Sequence, residues 1–308
     1  MRIREPGKVN EHLHFLGTTD NCIYLLQSEE AMIIGGGMSW IAPSLERQFS
    51  AIDLEPDRLK YVVISHSHFD HCGAVPYLKR KFPHALIVAS AYSTEVFSKQ
   101  KAVDFIAATN KAMIERLGLQ HEFEKLDLKF DGIQVDRIAS EGDAIDLGNG
   151  IEARFMEVPG HTQCSIAVYV PKLKALFPAD AVPPPLDDAE SVFFPGPQYD
   201  FGMYKESLER LARCDVEICA FEHYGVVMGA EAKNILQAGL RQTEKFKNLI
   251  IELYQQTNNL EETVQRAAAE TVQRSQFHFM DSEVQLTVLA TVVRKILNHA
   301  SLIDRSPT

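Results

Sequence analysis

Apolar residues recur along the first two thirds of the chain in short β-type runs. They are Cys22–Leu26, Ala31–Ile34, Tyr61–Ser65, Leu86–Ala89, Ile151–Val158, Ser165–Val170, Ala175–Phe177 and Val216–Phe221, punctuated by clusters of Gly, Pro or Asp and Asn. Between them, Ala102–Leu117 sets Phe105, Ile106, Met113, Ile114 and Leu117 near one helical face, with Gly118 placed to end the helix. Tyr204–Arg213 predicts a second helix, carrying Leu208 and Leu211 on one side. Strands interleaved with helices predict sheets covered by helices.

From about Ala230 the β pattern stops. Ile235, Leu236, Phe246, Leu249, Ile250 and Leu253 follow a helical period. Thr257–Asn259 interrupts it, and Asn259 with Glu262 forms a capping box for the next helix. Glu283–His299 carries Leu289, Val292, Val293, Ile296 and Leu297 on one stripe, with Ser282 and Gln285 as a further capping box. The expectation is a mixed α/β body over residues 1–229 and an α-helical cap over 230–308. That cap either closes the fold or lines a pocket. Between the two lies Val182–Met203, rich in proline and aromatic residues. So long a segment is expected to be a lid, a pocket wall or a loop pinned to the core by its aromatics.

A chain of 308 residues buries roughly three quarters of its unfolded surface, so it needs no disulfide framework. The net charge of −11 repels a phosphate backbone and argues against a nucleic-acid partner. No apolar run approaches the length of a membrane span, and MRIREPGKVN lacks the apolar stretch of a signal peptide. The five cysteines include no C-x-x-C pair, which fits a reducing compartment; the expected location is the cytoplasm.

The densest chemistry is SHSHFDH, Ser65 to His71, directly after the strand Tyr61–Ile64. His66 and His68 are two apart, so in an extended segment both imidazoles face one side and can share a metal. Asp70 and His71 follow as the chain turns toward Gly73 and are better placed for a second metal nearby. One loop cannot complete a coordination shell. His161 in VPGHTQCS, Asp180 in LFPAD and His223 in AFEHYG each follow a hydrophobic strand, where an α/β protein gathers functional groups. With the first loop they make seven nitrogen or oxygen donors. Cys72 and Cys164 lie beside these donors and read as small buried residues. His12, His14, His84, His121, His278 and His299 read as structural, with a pocket-lining role as the alternative for His278.

The order H-x-H-x-D-H, G-H-T, strand-end Asp and late His resembles the metallo-β-lactamase superfamily over roughly residues 10–228. The resemblance implies an αββα metallo-β-lactamase sandwich with a C-terminal α-helical cap and two divalent metal ions per chain. His66, His68 and His161 would hold the first ion, Asp70, His71 and His223 the second, and Asp180 would bridge them. Asp70 and Asp180 would be the carboxylates acting in catalysis. Imidazole and carboxylate suit Zn, Fe and Mn alike; the resemblance points to iron first, then zinc. True β-lactamases of the superfamily commonly carry Cys where Asp180 stands and lack the histidine at 71. Oxygen-reducing di-iron members usually have Glu where His68 stands. The all-His/Asp set is therefore similar to glyoxalase II, lactonases and related hydrolases. The family often has Asp before the glycine of its early strand-end turn; here Ile34-Gly35-Gly36-Gly37 lacks it, so a supporting carboxylate is expected to be missing. Glu222, next to His223, either supports the site or is structural.

Asp70-His71-Cys72-Gly73, Pro76-Tyr77-Leu78 and Glu206–Leu211 resemble the quinolone-signal response and acyl-CoA thioesterase subgroup. This implies a small-molecule acyl-thioester substrate, cleaved by a hydroxide shared between the metals. A thiol of pKa about 8.5 leaves as thiolate without a strong general acid. Phe193, Phe194 and Tyr199, with His278 between Phe277 and Phe279, are expected to line an apolar acyl pocket. The alternatives are a regulatory effector of the quorum-sensing type, acting through a protein partner or a second copy of the chain, and a lactonase or phosphodiesterase on the same centre.

Overall fold

The computed structural model describes residues 1–186, 193–271 and 282–304. Its strands are β1 (Arg2–Ile3), β2 (Gly7–Lys8), β3 (Leu13–Gly17), β4 (Cys22–Gln27), β5 (Ala31–Ile34), β6 (Leu59–Val63) and β7 (Leu86–Ala89), followed by β8 (Arg137–Ile138). Then come β9 (Ala144–Asp146), β10 (Glu152–Glu157), β11 (Ile166–Val170), β12 (Ala175–Phe177), β13 (Ile218–Ala220) and β14 (Val226–Met228). They form two seven-stranded sheets, ordered β1-β14-β13-β12-β11-β10-β9 and β2-β3-β4-β5-β6-β7-β8. The helices are α1 (Ala42–Ser50), α2 (Phe69–Cys72), α3 (Val75–Lys81), α4 (Ala91–Phe97), α5 (Gln100–Arg116), α6 (Gln120–Lys125), α7 (Phe201–Leu211), α8 (Ala230–Thr257), α9 (Leu260–Thr271) and α10 (Ser282–His299).

The chain divides into two compact units. The first comprises Met1–Glu157, Cys164–Ala179 and Asp215–Gly229, and contains both sheets. The second comprises Val158–Gln163, Asp180–Cys214 and Ala230–Thr308.

In the first unit, strand alternation assigns side chains to layers. Along β4, Cys22, Tyr24 and Leu26 join a core shared with Phe155, Val168 and Phe177 of the other sheet. Ile23 and Leu25 join a core on the opposite face, with Leu45 of α1, Leu78 of α3 and Ile106 and Ile114 of α5. β4 is buried on both sides from Cys22 to Leu26, so those five residues run without a polar interruption before Gln27. β5, β6 and β7 pair in parallel, and the short β8 continues that ladder. Parallel neighbours need crossover connections, and the His- and Asp-rich segment Ser65–His71 occupies the start of the one leaving β6.

The second unit is built on one apolar stripe. Phe246, Ile250 and Leu253 of α8 pack with Val264 and Ala267 of α9 and with Leu289, Val292, Val293, Ile296 and Leu297 of α10. Asn259 caps α9 as its sequence predicts, its Oδ1 accepting from the Glu262 N–H at 3.0 Å. The proline-rich segment ends sooner than its composition suggests. Asp200 caps α7 by accepting from Met203 N at 2.9 Å, so Phe201 and Met203 are helical. Among the described residues no helix is long and apolar enough to cross a membrane.

Candidate metal centre

Strand β6 ends where its apolar run meets Ser65, and Ile166 N donates to the Ser65 carbonyl at 2.8 Å, tying the loop to β11. His66 Nε2 and His68 Nδ1 then face each other at 3.2 Å, the same-side arrangement expected of an extended i, i+2 pair. Helix α2 follows at once. It turns Asp70 and His71 inward, both buried, while its last residue Cys72 is fully buried. Burial pushes the Cys72 thiol up, which keeps it neutral.

Two asparagines fix this loop from below. Asn21 Nδ2 donates to the Asp70 carbonyl at 2.9 Å, while its Oδ1 accepts from Met38 N at 2.6 Å. Asn110, inside α5, donates to the Phe69 carbonyl at 3.2 Å and accepts from Ser39 N at 2.9 Å. Both are buried polar groups whose hydrogen bonds are largely to backbone. Nothing in the sequence marks them, since an isolated Asn carries no spacing signal.

His223 enters from the turn after β13. Its Nε2 lies 3.2 Å from His71 Nε2 and 3.6 Å from Asp70 Oδ2, and His71 Nε2 lies 3.5 Å from the same carboxylate oxygen. The donor atoms of Asp70, His71 and His223 all fall within 4.8 Å of one another, and all three residues are buried. Burial would raise the Asp70 carboxyl, but His71, with His223 and His68, outweighs it and holds the group at about 2.

The orientation of the imidazoles follows from their far nitrogens. His71 Nδ1 is 2.8 Å from Glu222 Oε2 and His223 Nδ1 is 2.6 Å from the Asp20 carbonyl. Each partner is an acceptor only, so Nδ1 carries the proton and donates, leaving Nε2 with its lone pair toward Asp70. Ile34-Gly35-Gly36-Gly37 carries no carboxylate, and the one beside His71 comes from Glu222, on the turn after β13.

In the second unit, His161 and Asp180 are neighbours, Nε2 to Oδ2 at 3.4 Å. His161 Nδ1 donates to the Gly196 carbonyl at 2.6 Å, which again turns Nε2 toward the carboxylate. The loop before His161 depends on Gly160, at φ +136°, where an added Cβ would sit 2.2 Å from Tyr204 Cα and N. Only glycine fits so close to the backbone of α7. Of the residues expected to line an acyl pocket, Phe193 is buried, Phe194 stacks on Phe246 with ring centroids 5.6 Å apart, and Tyr199 is exposed. His278 lies outside the described residues. Among the described residues, His12, His14, His84, His121 and His299 join no cluster of three potential ligands.

Imidazole Nε2 and carboxylate oxygen, buried together and held by acceptors on their far sides, are the donor set that divalent Zn, Fe or Mn requires. The residues present fit such ions. Two sheets with a helical layer and this donor loop define a metallohydrolase-type fold. A family model of the Metallo-beta-lactamase superfamily matches residues 17–223, and the chain belongs to that superfamily. It is 28% identical over 172 residues to the Metallo-beta-lactamase fold-containing protein ST1585 of Sulfurisphaera tokodaii, covering 56% of this chain and 62% of that protein. It is 27% identical over 164 residues to a hydroxyacylglutathione hydrolase of Rhodopseudomonas palustris, covering 53% of this chain and 49% of the relative. The chain therefore spans less than two thirds of the length of either relative. The crystal structure of TTHA1429 from Thermus thermophilus superposes with a TM-score of 0.66 over 97% of both chains at 17% identity, a likeness of fold.

Proposed function

We propose that the protein is a binuclear metal-dependent hydrolase acting on an acyl thioester. The observation that carries this reading is the buried convergence of Asp70, His71 and His223, with both imidazoles locked to present Nε2. In this reading those three residues would hold one ion, His66, His68 and His161 would hold the other, and Asp180 would be the carboxylate that serves both. The places of His161 and Asp180 rest on the motif order in the sequence and on the family. When bound, the ions supply Lewis acidity at the substrate carbonyl and a nucleophile drawn from water near neutral pH. The chain's own part is to fix the donors. Glu222 and the Asp20 carbonyl hold protons on the far nitrogens of His71 and His223, and Asn21 and Asn110 hold the backbone of the donor loop still.

The substrate class follows from leaving-group chemistry. A thiolate departs without a proton, whereas an amide nitrogen needs one delivered. The similarity to a hydroxyacylglutathione hydrolase supports acyl-group hydrolysis, and the net charge of −11 weighs against a polyanionic nucleic acid. The resemblance of Asp70–Gly73, Pro76–Leu78 and Glu206–Leu211 to the quinolone-signal response and acyl-CoA thioesterase subgroup supports an acyl-CoA type of thioester first, with iron ahead of zinc at the site.

The test is metal content of the purified protein, with thioester, lactone and phosphodiester hydrolysis measured on the same sample. About two metals per chain and a preference for the thioester are expected. A metal-replete protein that cleaves a lactone or a phosphodiester in preference overturns the substrate class. Absence of metal after anaerobic reconstitution with iron or zinc overturns the whole reading.

A further inference from the structure

The turn after β5 and the turn after β13 meet at one point. Gly35 sits at φ +92°, and a Cβ built there would lie 3.0 Å from Glu222 Oε2 and 3.3 Å from its Cδ. The same Oε2 accepts from His71 Nδ1 at 2.8 Å. A side chain at position 35 would therefore crowd the Glu222 carboxylate and press it back by a few tenths of an ångström. Glu222 is 4% exposed, and its backbone carbonyl is fixed by Cys22 N at 2.8 Å. Burying a carboxylate is costly unless it is paired, so a residue that merely packed this corner would be apolar. Its partner is the far nitrogen of a donor histidine, and its chain neighbour His223 is a second donor.

We propose that Gly35 and Glu222 form one positioning device. The absent side chain at 35 opens the space through which Glu222 reaches His71 and holds the imidazole with Nε2 toward Asp70 and His223. A carboxylate on the far nitrogen fixes the tautomer and makes Nε2 a stronger donor to a cation. Because Glu222 and His223 are consecutive, one turn both delivers a donor and orients another. Neither Gly35 nor Glu222 is itself a metal ligand. This inference rests on the reading of His71 as a ligand, and its test separates the two.

Zinc affinity is measured by competition with a chromophoric chelator for wild type, Glu222→Gln, Glu222→Ala, Gly35→Ala and His71→Ala. The His71 tautomer is read by nitrogen-15 NMR in the metal-free proteins. Glu222→Ala is expected to weaken zinc binding about 10- to 100-fold. Glu222→Gln falls between it and wild type, because the amide oxygen still accepts from Nδ1 without the charge. Gly35→Ala weakens binding although no donor is removed, and in zinc affinity the double variant with Glu222→Ala loses less than the sum of the two, because their shared contact is lost once while the strain of φ +92° remains. Wild-type affinity and an unchanged His71 tautomer in both Glu222 variants overturn the proposal. If Glu222→Ala or Gly35→Ala fails to fold by metal-free melting, the isosteric Glu222→Gln alone decides, by its affinity: a weaker hold on zinc supports the proposal and wild-type affinity overturns it. Should His71→Ala also bind zinc like wild type, it is the metal assignment of His71 that fails. If only His71→Ala loses zinc, the assignment stands and the positioning role falls.

Discussion

The hydroxyl of Tyr24 donates to the carbonyl oxygen of Phe221, one residue before Glu222 and two before His223. The Gly225 carbonyl lies 3.1 Å from the same hydroxyl, so one buried phenol on β4 ties both ends of the turn that carries the donor. Replacing Tyr24 by Phe keeps the ring among Phe15 and Phe177 and strips the turn of its tether. A loss of about 1–3 kcal/mol is expected from the carbonyl left unpaired. Urea unfolding measures that loss, and zinc affinity should fall with it. A variant with wild-type values for both would show that the strands alone hold the turn.

Metal removal should be visible without any substrate. Ions that bind the native state stabilise it by about 2.7 kcal/mol at a hundredfold excess over Kd. Chelator-treated protein should therefore melt lower than untreated protein and recover on adding zinc or iron. Asp180→Ala should lower metal content and hydrolysis together, because its carboxylate lies 3.4 Å from His161 Nε2. A fully active, metal-replete Asp180→Ala protein would end the bridging role.

Gly160→Ala is expected to be among the most damaging changes of a single methyl group. The added carbon meets the backbone of Tyr204 at 2.2 Å, and φ of +136° is open to glycine alone. Strain and overpacking together cost at least about 2 kcal/mol. Melting temperature reports that cost. Soluble, wild-type-like melting would mean the loop before His161 has room to move.

Glu46 gives a pH signature remote from the centre. Burial opposes its ionisation, but the Tyr77 hydroxyl at 2.6 Å and the Lys81 ammonium at 2.9 Å outweigh it and hold the carboxyl below the ordinary 4.5. A depressed folded-state value means stability that is present above about pH 4.5 and is lost as pH falls through the lower, folded value. The melting-temperature gap between wild type and Glu46→Gln should therefore be widest near neutrality and close on acidification. A gap independent of pH would remove the ionised contact as its cause.

The long apolar runs were legible because burial on both faces leaves no polar positions to blur them. Ala31–Ile34, Leu86–Ala89 and Ala175–Phe177 are strands with the bounds their sequence suggests. β3 escapes such a reading: Leu13, His14 and Phe15 alternate for only three residues before Leu16, also buried, breaks the period. β14 is three residues long, and β1, β2 and β8 only two, too short for any period to register. The donor residues stand out because unlike chemistry is crowded into few positions. Their supports do not, since Asn21, Asn110 and Tyr24 act through backbone carbonyls far away in sequence. Glu222 was visible as an oddity beside His223, but only the folded chain shows that the emptiness at Gly35 is its counterpart.

The pairing of β1 with β14 joins Arg2 to Val227 and Ile3 to Val226. On a ribosome adding about 5–20 residues per second, the first of these partners waits roughly ten to forty-five seconds for the second. The sheet from β2 to β8 is complete by Ile138 and can assemble meanwhile. During that interval the N-terminal strand is an unpaired edge, and β14, which also closes the turn bearing His223, is the last strand of its sheet to be made. His66, His68, Asp70 and His71 are made long before His223, so the cluster stands half-built for roughly 8 to 30 seconds at that rate and closes only when β14 is laid down.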